Sequence, residues 1–135
     1  MNQHSSPIAS SSAVQLRRAG ADTTLVWAGP RSIAPAVRLS LALEQIRGGY
    51  DAAVLKLYLG ESEDIFLGSV ALYGLRRASA GLSSHLDIPA PALTVITASA
   101  AAGIPLPLFI RPNQPLPDGV EIAIERIALY ADTGS

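Results

Sequence analysis

The chain has 135 residues, nearly half of them apolar, with ten basic side chains against eleven acidic ones and a formal charge of −1. That length supports one ordinary domain with a real core, and the lack of cysteine excludes a disulfide framework, thiolate metal sites and cysteine catalysis. Nine of the basic residues are arginines scattered along the chain, which gives no basic stripe for nucleic acid.

Residues 1–12 are rich in serine and lack periodicity, so they read as a flexible tail, followed by a single β domain over 13–135. The start has no positive segment followed by an apolar one, so it is not a secretory signal. No run approaches the ~20 apolar residues of a spanning helix, so no membrane partner is expected. A cytoplasmic location is the default, and export in the company of a partner stays open.

From residue 13 the pattern is dominated by period two. "AVQL" and "TTLVWAG" flank "RRAGAD", whose Gly20 and Asp22 suit the turn of a hairpin. "VRLSLALEQI" places Val37, Leu39, Leu41 and Leu43 on one face and Arg38, Ser40 and Ala42 on the other. After the turn "RGGYD", "AAVLKLYLG" returns with Leu55, Leu57 and Leu59 inward and Lys56 and Tyr58 outward. The acidic "ESED" reads as a solvated loop without the ligand spacing of a calcium site.

"IFLGSVALYGL" is apolar on both faces, which predicts a central strand covered on both sides, with Gly68 at a bulge or a close backbone approach. "LSSHLDI" alternates, with Leu82, Leu86 and Ile88 in and His85 and Asp87 out. Residues 91–102 are the one expected helix, with Pro91 at its start and Gly103 at its end. The β-branched run Thr94–Thr97 works against it. "PLPLFIR" carries Pro105 and Pro107, which predicts an edge or irregular strand. In "GVEIAIERIALY" Val120, Ile122 and Ile124 share one face, whereas Ile127 and Leu129 lie on the other. A β-bulge near Glu125 and Arg126 accounts for the switch, more simply than a working ion pair does. The sum is an all-β chain, an antiparallel sandwich or small barrel of about seven strands.

Candidate chemistry is sparse. His4 and His85 are the only histidines, too few for an imidazole-bound metal, so no metal or cofactor is expected. Ser83, His85 and Asp87 share a strand face, but residues two apart stand roughly 6.5 Å apart along the strand, too far for a catalytic triad. Arg76 and Arg77, after "VALYGL", are the most notable charged feature; they suit an acidic partner or a bound carboxylate, but adjacent arginines at a strand end more simply face water on opposite sides. "IFLGSVALY" and "PLPLFI" carry more apolar surface than one small core absorbs.

Three stretches in order, "AAVLKLYL", "FLGSVALYGL" and "LPDGVEIAIERIALY", with "HLDI" before the helix, resemble the β-rich C-terminal domain of tyrosinases and polyphenol oxidases. The resemblance covers about residues 36–131. It implies a non-catalytic accessory domain that covers the copper site of a type-3 copper oxidase, here without the histidine-bearing helical domain. No position matches the family's blocking side chain, for which Tyr73 and Phe109 are the aromatic candidates. The interface candidates are therefore Arg76, Arg77, Tyr73 and Phe109, and the partner a tyrosinase-like oxidase. Two alternatives remain, a self-associating structural sandwich forming a homo-oligomer and a small barrel binding an apolar ligand.

Overall fold

The computed structural model describes residues 7–28, 38–50, 52–60, 65–77 and 81–132, the Arg76 side chain excepted. Among them are nine strands: β1 Ala9–Ser10, β2 Val14–Leu16, β3 Ala21–Trp27, β4 Arg38–Gly48, β5 Val54–Leu59, β6 Ile65–Ala71, β7 Leu82–Asp87, β8 Leu106–Pro112 and β9 Ile122–Asp132. One helix, α1 Ala90–Ala102, lies between β7 and β8. All pairings are antiparallel, in the order β6-β5-β8-β3-β1-β9-β4-β7, with β2 also on β9. This is the expected all-β sandwich, with β1 bridging its two layers.

The outermost strands β6 and β7 face each other across the open side, where no pairing joins them among the described residues. A side chain built at Gly68 of β6 would stand 3.1 Å from Leu86 Cδ2 of β7. Opposite Gly68, the β5–β6 register slips by one between Leu57 and Tyr58. Gly68 thus sits at the expected bulge, and what approaches it is the Leu86 side chain rather than another backbone.

Alternation delivers the core. Leu41 and Leu43 of β4, Leu55 and Leu57 of β5, Leu108 and Ile110 of β8, and Ile127 and Leu129 of β9 are fully buried. Each such side chain contributes roughly 1.5–3 kcal/mol of burial. The single tryptophan, Trp27, seals one end, its indole N–H donating to the Ile104 carbonyl at 2.8 Å. Helix α1 buries Ala92, Ile96 and Ala100, spaced by four, and Gly103 closes it with N–H bonds back to the last turn. Thr97 tolerates the helix by donating its hydroxyl to the Leu93 carbonyl.

Several expectations are corrected. Residues 8–11, expected in a flexible tail, are part of the fold: Ala9–Ser10 form β1, Ile8 and Ala9 are buried, and the Ser11 hydroxyl accepts the Ile127 N–H at 3.1 Å. The turn at Arg17–Gly20 is present, but β2 and β3 separate after that single bridge, one to β9 and the other to β8 and β1. β8 is central, not an edge. Its prolines fall where only one neighbour remains: Pro107 opposes Thr24 beyond the last β5 pair, and Pro112 opposes Leu55 beyond the last β3 pair. β6 is an edge strand, not a central one, because its core contribution is split. Leu67 and Val70 point inward around the bulge, Leu72 and Leu75 follow from the next turn, and Phe66 remains outside. Val37, expected inward on β4, lies outside the described residues.

The face switch in β9 is present, yet β9 carries no insertion relative to β4. Their pairing keeps one register from Arg38↔Asp132 through Glu44↔Arg126 to Gly48↔Ile122. β4 switches at the same level, with Leu39, Leu41 and Leu43 buried and then Ile46. The β1–β2 segment does so too, with Ala9 and Ser11 buried and then Val14 and Leu16. Three neighbouring strands bend together. The extra residue appears only against β7, which keeps its alternation: Leu43 pairs with Ser84 and Ile46 with Leu82. Gln45, at φ 57°, takes up the bulge, its N–H reaching the Ser83 hydroxyl at 3.4 Å.

Candidate functional site

Antiparallel connectivity brings every second connection to one end of the sandwich, with residues 17–20, 49–50, 52–53, 72–77 and 113–121 described there. Contacts knit these segments together. Leu116 N–H donates to the Arg18 carbonyl and Leu72 N–H to the Ala53 carbonyl. A side chain at Gly48 would meet both Leu75 Cδ2 and the Glu121 carbonyl within 3.3 Å.

Tyr73 stands at the tip of this end with 87% of its surface exposed. Its backbone is fastened on both sides. Leu72 and Leu75 are buried in the core, and Leu75 N–H closes a tight turn on the Leu72 carbonyl at 3.0 Å. The turn needs φ 84° at its third position, which Gly74 supplies. A 3-10 turn, Leu75–Arg77, continues from it. The ring is thus held out by a backbone that has little freedom left to lose.

Five of the nine arginines converge on this end in sequence position: Arg17, Arg18, Arg47, Arg76 and Arg77. Arg18 pairs with Asp118 at 2.5 Å and Arg17 with Glu121 at 3.7 Å, both in exposed positions. Arg47 donates to the Gln45 amide oxygen at 3.1 Å. Neither Arg47 nor Arg77 meets a carboxylate among the described residues. A shallow depression of about 170 Å³, lined in part by Arg17, Arg18, Asp118 and Glu121, lies between two of the loops. Of the four candidates read from sequence, Tyr73, Arg76 and Arg77 are therefore neighbours, and Arg17, Arg18 and Arg47 join them unforeseen.

Phe109 lies elsewhere, on the outer face of the sheet β6-β5-β8-β3. There Phe66, Tyr58 and Phe109 form one row on adjacent strands. The Tyr58 and Phe66 rings meet at 5.4 Å, tilted by 53°. Arg111 sits 5.5 Å over the Phe109 ring and pairs with Asp22 at 2.8 Å. Phe66 remains 49% exposed. The two segments suspected of surplus apolar surface supply two of these three rings.

At the bend, Arg126 pairs across the strands with Glu44 rather than with its neighbour Glu125, at 2.8 Å, and the Tyr130 hydroxyl donates to the other Glu44 oxygen at 2.6 Å. Tyr130 spans the level of Ala42 and Ala128, whose small side chains are buried beneath. The hydrogen bond to Glu44 raises the Arg126 pKa. Burial first, then the bond to Glu44, raises the Tyr130 phenol above its ordinary value. The unfolded phenol loses its proton first as pH passes about 10. The stabilisation from Tyr130 is therefore complete below that pH and fades as pH rises through the raised value. Urea unfolding at increasing alkaline pH is expected to show this loss, and Tyr130→Phe to remove that share of it.

Ser83, His85 and Asp87 line the exposed face of β7, paired with β4 residues and without hydrogen bonds to one another. Among the described residues no three acidic or histidine side chains converge as a metal site, and no helix is long and apolar enough to cross a membrane.

No curated protein matches the chain. Among solved structures it is similar to the C-terminal CBM6 of LamC, a marine laminarinase from Zobellia galactanivorans, with a TM-score of 0.45, 10% identity, and 93% of each chain covered. A model of the family described as "Domain of unknown function (DUF7868)" matches residues 4–132, and the chain belongs to that family.

Proposed function

We propose that the protein is a non-catalytic interaction module that docks a partner through its arginine-rich loop end, with Tyr73 as the anchor. The observation that carries this reading is the 87% exposure of Tyr73 on a turn staked by two buried leucines. Binding energy concentrates in aromatic and arginine anchors, and a preorganised anchor loses little freedom on docking. The sequence resemblance to tyrosinase C-terminal domains supports a type-3 copper oxidase as the first partner to test, with this chain covering the copper entrance.

The test is o-diphenol oxidation by a type-3 copper oxidase of the same organism, with increasing amounts of this protein added. Saturable inhibition near equal stoichiometry is expected, with relief by Tyr73→Ala and none by Phe109→Ser. Undiminished oxidation with no complex on sizing removes the oxidase as partner.

A second reading, self-association, is favoured by the row Phe66–Tyr58–Phe109. The tilted contact between two of the rings suits a packed protein interface better than a flat platform for a sugar. Light scattering would then find a concentration-dependent dimer that Phe66→Ser dissociates.

A further inference from the structure

We infer that the partner surface met by the loop end is acidic: an apolar pocket for Tyr73 rimmed by carboxylates that receive Arg47 and Arg77. The inference rests on the reading of this end as a docking surface and adds the chemistry of what it docks. Among the described side chains at this end, and apart from the Arg111–Asp22 pair, which balances itself, four arginines, Arg17, Arg18, Arg47 and Arg77, face two carboxylates, Asp118 and Glu121. The whole chain is nevertheless slightly acidic. Positive potential is therefore a local property of this end, fit to steer an acidic partner toward it.

The kind of cation matters as much as the sign. The chain's only lysine, Lys56, pairs with Ser69 and Arg111 positions on the face of the other sheet and contributes nothing here. Arginine offers a planar fork that grips carboxylates in pairs and stacks on rings. Protein interfaces favour arginine and tyrosine and disfavour lysine, whereas phosphate backbones and anionic lipids accept either cation. The existing ion pairs are no obstacle. Side chains of Arg18 and Asp118 are 64% and 95% exposed, and those of Arg17 and Glu121 are 74% and 52% exposed. Pairs so exposed exchange partners at little cost.

The test is an amide NMR titration of the whole chain with two decapeptides of matched sequence. One alternates glutamate with leucine and tryptophan, and the other replaces glutamate by lysine. A DNA duplex and phosphatidylserine vesicles form two further arms. The acidic peptide is expected to shift the signals of Arg17, Arg47, Tyr73 and Arg77, and to bind about tenfold more weakly in high salt. The double variant Arg47→Glu, Arg77→Glu, with both sites exposed and the melting temperature unchanged, should prefer the lysine peptide. Equal response to both peptides, shifts confined to another face, or tighter binding of duplex or vesicles overturns the inference.

The two proposals fail separately. If Tyr73→Ala relieves oxidase inhibition and the double arginine variant does not, the docking end stands and its acidic partner falls. If the oxidase is indifferent while the acidic peptide still marks the loop end, the oxidase falls and the acidic preference stands.

Discussion

Gly20→Ala is expected to be among the most damaging single substitutions at the described positions, lowering stability by about 3 kcal/mol or more. The residue closes the turn between β2 and β3, exchanging two backbone hydrogen bonds with Arg17. At φ 112° its backbone lies where a side chain is strained. Steric overlap costs more than this strain. A Cβ at Gly20 would fall 2.0 Å from the Ile110 carbonyl oxygen, with the Ile110 carbon at 3.1 Å and Arg111 Cα at 3.2 Å. All three atoms belong to the backbone of β8, the central strand of its sheet, so no rotamer change relieves the clash. Relief requires moving β8 away from its pairs on both β3 and β5.

Against a total stability of roughly 5–15 kcal/mol for a domain of this size, that loss leaves little margin. Urea unfolding reads it directly, with Gly49→Ala as the control. Nothing lies within 4 Å of a Cβ at Gly49, so that substitution should stay within about 0.5 kcal/mol of the parent. Gly68→Ala should fall between them: φ 152° strains a side chain there, but the nearest atoms to the added Cβ belong to the Leu86 side chain, which can turn aside. A Gly20→Ala protein melting with the parent would mean that the turn and β8 are not in contact.

The strands were legible wherever one face meets the core and the other meets water. β5 and β7 follow their alternation throughout, β4 follows it as far as Leu43, β9 changes phase where its sequence does, and α1 follows its flanking proline and glycine. Position within the sheets was not legible for β6 and β8, because local rules see one strand at a time. Pro105 and Pro107 argue for an edge or irregular strand, yet Pro105 precedes β8, and Pro107, like Pro112, sits at a level where one neighbour has already ended. The apolar faces of β6 argue for a centre, yet its second face ends as the exposed Phe66 of an aromatic row. Whether an apolar face is covered depends on the sheet order, and no short stretch of sequence encodes that.

The arginine cluster was hidden for a related reason. Arg17, Arg47 and Arg77 look scattered over sixty residues of sequence, but each sits in or beside a connection that follows an even-numbered strand. In an up-and-down antiparallel chain those connections share one end. Counting strands before judging charge would have brought them together. Tyr73 was visible as an aromatic beside two arginines. Its exposure was not, because that depends on Leu72 and Leu75 both turning inward.

The shared bend makes the second large prediction. Ile124→Ala and Ile127→Ala should each cost about 2–5 kcal/mol, whereas Glu125→Ala should cost less than about 0.5 kcal/mol. In a strand of unbroken alternation, positions three apart point to opposite faces, so only one of the two isoleucines could matter this much. Both are fully buried here, with exposed Glu125 and half-buried Arg126 between them. The bend that allows this is held from both sides. Inside, the Ser11 hydroxyl accepts the Ile127 N–H. Outside, Glu44 joins Arg126 and Tyr130 across the two strands that bend together. Urea unfolding of the three variants decides the point without reference to any partner. An Ile127→Ala cost no larger than that of Glu125→Ala would mean that β9 runs straight in solution. The concerted bend of β1–β2, β9 and β4 would then have to be abandoned, since strands paired in one register with no bulge between them change phase together.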